Sequence, residues 1–239
     1  MTAKRNDDKF RIGEQNILYY DKIADSYDHI LDQESLNDIV RKKVENKFMS
    51  YVKPGLVLDF GGGTGRDLKW LTENHYKIFF CEPSEGMKGK AIHYNQNVLH
   101  KNNIVFLEKA KTDFTTWNQE LPFTDKVDAI LSNFAVINCI PQIELLFKNL
   151  SLVIRPGGML IALILDDRAK GLTSRLRNAI RSFIIKTPRT IDIKYKEHQQ
   201  TVYVYSTKQM KRSSKLYFDF INRESLPGFG FILVHLVRK

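Results

Sequence analysis

The stretch richest in chemistry is Val57-Leu58-Asp59-Phe60-Gly61-Gly62-Gly63-Thr64-Gly65-Arg66-Asp67. Gly61, Gly62, Gly63 and Gly65 stand between a short apolar run and a helical pattern. They remove side chains where a ligand could press against the backbone, and they tolerate turn dihedrals that other residues resist. An acid follows at Glu82, 17 positions after Gly65, where the next apolar run ends. A carboxylate at that place accepts hydrogen bonds from both ribose hydroxyls of an adenosine. The dinucleotide fingerprint G-x-G-x-x-G wants its third glycine three after the second. Here position 66 is Arg, and the glycines run G-x-G-x-G behind Asp59. No Gly-Lys-Ser/Thr follows, so the loop is not a P-loop. Tight strand-to-helix turns also use glycine for packing alone. Glu82 at its distance, and Arg155-Pro156-Gly157-Gly158 before a later apolar run, weigh against that plainer reading.

Other reactive residues are sparse. His198 stands beside Glu197 and close to Tyr203 and Tyr205, although a histidine in a charged segment is often only solvated. The remaining five histidines are scattered. No His, Cys and carboxylate cluster has ligand spacing, so no metal site is expected. Two cysteines, Cys81 and Cys139, cannot build a disulfide framework, and their apolar surroundings suit a reducing compartment.

The elements that must position these residues follow from periodicity. Ile17, Tyr20, Ile23, Tyr27 and Ile30 recur at helical spacing, as do Leu36, Ile39, Val40, Val44 and Phe48. Pro54-Gly55 ends the second helix. Short apolar runs at 56–60, 77–81, 104–107, 127–132 and 159–165 read as buried strands, with helices at 66–74, 84–99 and 143–154 between them. Strands alternating with helices predict a parallel sheet covered on both faces. Ser206-Thr207-Lys208-Gln209 has capping-box spacing and opens another helix. Two last strands, 217–221 and 231–237, flank the turn at Leu226-Pro227-Gly228.

The sequence resembles the class I S-adenosylmethionine-dependent methyltransferases, in particular small-molecule enzymes similar to the ubiquinone/menaquinone-biosynthesis methyltransferases. The resemblance covers 19–165, with a looser match after Tyr203. It rests on Asp59-Phe60-Gly61-Gly62-Gly63-Thr64-Gly65 as D-x-G-x-G-x-G and on Glu82-Pro83-Ser84-Glu85-Gly86-Met87 as acid-x-S-x-x-M. Val127-Asp128-Ala129-Ile130 looks like the entry to strand four, and Arg155-Pro156-Gly157-Gly158 like the turn before strand five. Tyr20-Asp21-Lys22-Ile23-Ala24-Asp25-Ser26-Tyr27-Asp28 matches aromatic-D-x-x-A-x-x-Y-D. The resemblance implies a Rossmann-like, doubly wound α/β fold whose mostly parallel seven-stranded sheet has the order 3-2-1-4-5-7-6.

It also implies S-adenosyl-L-methionine as cofactor and S-adenosyl-L-homocysteine as product. Asp59 and the backbone of Gly61, Gly62 and Gly63, with Gly65 in the same loop, would surround the methionine half. Glu82 would hold the ribose, Pro83 and Met87 the adenine, and Asn133 would lie near the sulfonium. Tyr20 and Tyr27 would close the site. Relatives carry an acid after strand three for the adenine amine. That position falls on Ala110, with Asp113 three residues later, so either Asp113 serves through a shifted loop or backbone groups do. Tyr27, Asn133 and His198 are the candidates for orienting or deprotonating an acceptor.

Charge is uneven. The chain carries 37 Lys+Arg against 27 Asp+Glu, a net of +10. Residues 166–215 hold 13 against 4, a net of +9, which leaves 24 against 23 elsewhere. Within that block Leu172, Leu176, Ile180, Phe183 and Ile184 share a helical face, with arginines around them. Several readings stand: a lid helix with solvated arginines, a cationic mouth for an anionic or carrier-bound small-molecule acceptor, contact with anionic lipid, or RNA. RNA is disfavoured because Asn133-Phe134-Ala135-Val136 lacks the N-P-P-aromatic loop that holds a flipped base. We expect one domain over 1–239: a helical cover at 1–53, a cofactor core at 54–165, a basic substrate-side insert at 166–205, and a helix with a strand pair at 206–239. With no run approaching ~20 apolar residues and no secretory pattern at the start, the expected location is the cytoplasm. An RNA methyltransferase and a non-catalytic S-adenosylmethionine-binding subunit are the alternative functions.

Overall fold

The computed structural model describes residues 2–32, 36–99, 103–167, 189–195, 197–226 and 228–239. Helices α1 (Thr2–Asp32) and α2 (Leu36–Tyr51) precede β1 (Leu56–Phe60), α3 (Leu68–Glu73), β2 (Lys77–Cys81), α4 (Glu85–Tyr94), α5 (Gln96–Leu99), β3 (Ile104–Phe106) and α6 (Lys109–Thr112). Next come β4 (Val127–Ser132), α7 (Ile143–Val153), β5 (Ile154–Leu165), β6 (Arg189–Tyr195) and β7 (His198–Val204). The chain ends with α8 (Thr207–Ser214), β8 (Phe218–Leu226) and β9 (Phe231–Arg238). Single 3-10 turns lie at Phe114–Thr116 and Val136–Cys139.

Seven strands form one sheet in the order β3-β2-β1-β4-β5-β9-β8. With β6 and β7 set aside as a separate pair, this is the expected 3-2-1-4-5-7-6. The first five strands are parallel, and β9 runs antiparallel to β5 and β8. Because alternate strand residues face opposite sides, the apolar runs divide between two cores. Leu58, Ile130, Leu160 and Ala162 pack with α7, Tyr203, Tyr205 and Met210 on one face. Val57, Ala129, Leu131 and Ile161 pack with Val40, Val44, Phe48, Trp70 and Leu71 on the other. Leu36 and Ile39, read as part of the buried stripe of α2, are exposed.

Some boundaries differ for local reasons. Helix α3 begins at Leu68 rather than Arg66, because the glycine turn continues to its N-cap, Asp67. The helix expected over 84–99 divides at Asn95, whose side chain turns back to Gly65 O (3.2 Å). Strand β5 starts five residues early, at Ile154, with an irregularity of register against β4 between Val127 and Ala129. The Ser206 capping box forms as expected.

The main addition lies in the insert, where sequence periodicity suggested no strands. Strands β6 and β7 pair as an antiparallel hairpin. Ile191, Val202 and Val204 are its buried face, against Cys139 and Leu165. Asn138, fully buried, holds the hairpin to the sheet by donating Nδ2–H to Tyr203 O (2.6 Å) and accepting from Leu165 N (3.0 Å). The helix expected near 172–186 lies outside the described residues. Among the described residues no helix is long and apolar enough to cross a membrane.

One buried titratable group sits away from the cleft described below. His235 on β9 is fully buried under the Tyr51 ring (centroids 4.6 Å apart), and neither ring nitrogen has a partner. Burial holds its pKa below the ordinary 6.5. A depressed histidine binds fewer protons folded than unfolded, so its share of stability is lost as pH falls below the unfolded value. In urea unfolding, the stability of wild type minus that of His235→Leu should therefore decline below about pH 6.5, by at most ~1.4 kcal/mol per pH unit. A difference that is flat from pH 5 to 8 would contradict the assignment.

Candidate active site

The strand order reverses between β1 and β4, and open α/β sheets bind ligands beyond the carboxyl ends of their strands at such a point. A cleft of about 330 Å³ lies there. Its walls come from the loop after β1, the ends of β2 and β4, α6 and the following turn, and from α1 and α2.

The loop after β1 is fixed by its neighbour. Gly61 N and Gly62 N both donate to Cys81 O (2.7 and 3.3 Å). Gly61 has φ +75°, and a Cβ there would meet Val136 at 2.4 Å. Gly63 has φ +59°, and a Cβ there would project into open space. Gly61, Gly62 and Gly63 line the cleft, but Gly65 does not. Gly65 packs instead against Ala91, Asn95 and Leu68, so its role is to bring the loop down on α3 and α4.

Glu82 is buried at the end of β2, with Oε2 accepting from Gly63 N (2.9 Å) and Oε1 from Ser84 N (2.8 Å). Burial pushes its pKa up to about 7 against the pull of those two N–H groups. Asp59 is placed differently from expectation. It lies beneath the loop rather than on the cleft wall, 1% exposed, and its Oδ2 has no partner. Burial, followed by the charge of Asp67, holds the Asp59 carboxyl well above the usual range.

Asp67 was not singled out from the sequence, yet it is the best-held acid in the cleft. Its Oδ1 accepts from Arg41 Nη1 (2.7 Å) and Trp70 Nε1 (2.9 Å), and its Oδ2 from Asn133 Nδ2 (2.9 Å). Burial alone would raise its pKa, but Arg41 and these donors bring it below the ordinary value. The Arg41 guanidinium also lies over the Phe134 ring, 4.5 Å from its centroid. Phe134 and Ala135 turn the chain after β4 with left-handed φ of 50° and 64°. Asn133 Oδ1 accepts from Phe134 N (3.0 Å) within that turn.

Helix α1 closes the cleft through polar side chains. Asp28 Oδ1 accepts from Thr64 Oγ1 (2.8 Å) and Arg66 Nε (2.7 Å). Asp21 Oδ1 accepts from Ser84 Oγ (2.6 Å) and Gly86 N (3.0 Å). Asn16 donates to Cys139 O and Thr201 O (2.8 and 2.9 Å) and accepts from Thr201 N. Tyr20 and Tyr27 thereby face the cleft, with ring centroids 6.0 Å apart. Burial holds both phenols well above their usual pKa.

Pro83, Met87, Asp113 and Asn133 also line the cleft, with Phe60 and Phe114. After β3 the wall contains Asp113, while Ala110, the position matched by counting, does not line the cleft. Asp113 Oδ1 accepts from Thr115 N and Oγ1. His198 does not line the cleft, and no histidine does among the described residues. It sits at the hairpin turn, Nε2 3.7 Å from Glu197 Oε1, and pairs across the strands with Tyr195.

Arg41 was also missed, since it occupies one position in a helix of mixed charge. Replacing it with Leu would leave the buried Asp67 without a counter-ion, a loss expected to cost about 3–5 kcal/mol. Arg41→Leu with Asp67→Asn should recover much of this in urea unfolding. A single variant within about 0.5 kcal/mol of wild type would show the pair to be energetically idle.

Residues 58–160 match the family described as a methyltransferase domain. In overall fold the chain is similar to the PH0226 protein of Pyrococcus horikoshii OT3, with TM-score 0.65 and 22% identity over 87% of this chain and 94% of that one. It is similar to DhpI in a complex with SAM and HEP, with TM-score 0.69 and 16% identity over 93% and 96%. A third similar structure is the Burkholderia thailandensis 1,6-didemethyltoxoflavin-N1-methyltransferase with bound 1,6-didemethyltoxoflavin and S-adenosylhomocysteine, with TM-score 0.65 and 14% identity over 94% and 88%. No curated protein matches the chain. At these identities the structural likenesses speak to the fold. The domain match spans the glycine loop, Glu82 and the turn before β5.

Proposed function

We propose that this enzyme transfers a methyl group from S-adenosylmethionine to an O, N or C atom of a small or medium-sized acceptor by in-line displacement. The observation that carries the reading is the hydrogen bond from Gly63 N to Glu82 Oε2 (2.9 Å), which joins the glycine loop and the end of β2 in the cleft wall. The donor set fits the cofactor. Glu82 offers a carboxylate to ribose hydroxyls. Phe60, Pro83, Met87 and Phe114 offer apolar walls to a purine, with Asp113 at the edge for its amine. Gly61, Gly62 and Gly63 offer open backbone on the cleft wall to an amino-acid moiety.

Bound there, the sulfonium supplies an already activated methyl group, so the chain's task is to position and to exclude water. Well-oriented reactants can remove ~7–11 kcal/mol of barrier through proximity. We assign Tyr27 and Asn133 to orienting the acceptor, with Asn133 fixed by Asp67. The part of the cleft built from α1 and the turn after β4, with Ile17, Val136, Ile140 and Pro141, is the acceptor end in this reading. Neither Tyr20 nor Tyr27 can act as a base near neutrality, because both phenols keep their protons. The +9 of residues 166–215 supports an anionic or carrier-bound acceptor that leaves its charged end at the entrance. We read 1–239 as one catalytic domain with the four parts set out above. The free thiols of Cys81 and Cys139 suit the cytoplasm.

Calorimetry with S-adenosylmethionine tests the reading. Binding in the micromolar range is expected, with affinity collapsing in Gly63→Asp and Glu82→Ala. Normal binding in both variants would reject the cofactor assignment. Ribose hydroxyls donate best to an ionised carboxylate, and Glu82 titrates at about 7 without ligand. Affinity should therefore rise with pH, by up to about tenfold per unit below 7, and level off above it. Glu82→Gln should bind weakly and without this dependence.

A further inference from the structure

One hydroxyl at the acceptor end holds its hydrogen against a poor partner. Tyr20 and Cys139 both line the cleft, with the phenol oxygen 3.5 Å from Cys139 Sγ. Either atom could donate in that contact, so the thiol's other neighbours decide. They are Ala135 O (3.7 Å) and Gln200 Oε1 (3.8 Å), two oxygens that can only accept. The single thiol hydrogen therefore turns away from Tyr20, and the phenol is the donor. Sulfur is a weak acceptor.

Gln200 fixes the same direction through the thiol. It is 7% exposed on β7, and its Oε1 lies 3.8 Å from Sγ, which holds the thiol hydrogen off Tyr20 and leaves the phenol O–H to donate. Burial keeps Tyr20 as a phenol and pushes Cys139 up to about 11, so the proton inventory holds at neutral pH. The cations lining the cleft do not compete for this role. Arg41 is paired with Asp67 and Arg66 with Asp28, each at 2.7 Å, and Lys109 is exposed on α6.

We infer that Tyr20 is an acceptor-binding residue whose hydroxyl donates to a lone pair on the methyl acceptor, with Gln200 and Cys139 as the positioning residues that aim it. The ligand chemistry is a carbonyl, carboxylate or phosphoryl oxygen, or a ring nitrogen. The basic segment thus contributes to recognition through a neutral carboxamide on its hairpin, in addition to any charge.

The inference rests on the methyltransferase reading, and its test separates the two. Binding of S-adenosylhomocysteine to the wild-type full chain, measured first, bears on that reading alone. In the S-adenosylhomocysteine-loaded protein carrying ¹³Cζ-tyrosine, the Tyr20 resonance is the one missing from Tyr20→Phe. Benzamide, benzoate, phenylphosphonate and pyridine probe the four lone-pair chemistries, and cumene serves as an apolar control. At least one lone-pair probe should shift the Tyr20 resonance and bind roughly tenfold more weakly to Tyr20→Phe, the loss expected for one buried hydrogen bond. Cumene should bind both proteins alike. Gln200→Leu should move the Tyr20 resonance before any probe is added and weaken the same probe. Gln200→Glu, which keeps an oxygen for the thiol hydrogen, should bind it more tightly than Gln200→Leu. If none of the four probes shifts the resonance, or if the affected probe binds Tyr20→Phe as it binds wild type, the inference fails.

Discussion

Everything at the cleft depends on how three buried acids are kept close together. Asp59, Asp67 and Glu82 surround one glycine loop, and a single guanidinium, Arg41, reaches in to compensate. Burying a carboxylate without a partner is costly enough that such a group usually keeps its proton instead. The molecule uses both solutions. Asp67 remains ionised with three donors on it, while Asp59 and Glu82 are pushed toward protonation by burial. The result is one fixed charge at Asp67 beside two carboxyls held toward neutrality, with Asp59 Oδ2 lacking a partner beneath the loop.

Arg41 comes from α2, so the N-terminal helices do more than cover apolar surface. Helix α1 adds three polar clasps along its length: Asn16 to the hairpin, Asp21 to α4, and Asp28 to the glycine loop. Each clasp ends on a segment that itself lines the cleft or borders it. The helix is thus held by hydrogen bonds, which are directional, and its apolar side chains are freer to meet ligands. Tyr20 and Tyr27 lie between the clasps, which explains why two aromatic residues on a surface helix face inward to a cleft.

The sheet and loop were legible because their signals are local. A parallel strand buried on both faces needs a run such as Leu56-Val57-Leu58, and a turn that passes under a ligand needs glycine. Five such runs fixed the order of elements. Arg41, Asn16 and Gln200 left no comparable trace. Asn16 bonds to a residue 185 positions away, and nothing around it in the sequence marks it as more than a polar helical residue. The hairpin was hidden for a different reason. Its alternation, Ile191 and Ile193 against Val202 and Val204, is only two residues deep on each strand and sits among lysines and glutamines. His198 shows the opposite case, since its neighbours in sequence suggested chemistry while the pairing sets it at the hairpin turn, off the cleft wall.

The hairpin also changes what the concentration of charge implies. Read as a block, 166–215 left open a lid helix with solvated arginines, a cationic mouth, contact with anionic lipid, or RNA. The described half of that block instead contributes an apolar face and a buried carboxamide, which lies among Tyr20, Cys139 and the acceptor end. Electrostatic attraction through an exposed cationic segment acts over roughly a Debye length, about 8 Å at physiological salt, and orients little. A carboxamide held on the thiol that Tyr20 meets acts only at contact and orients a great deal. An acceptor drawn in by the first would be selected by the second. On this division the described hairpin bears on the cofactor loop through α1 and the turn after β4, to which it is joined by Asn16 and Asn138.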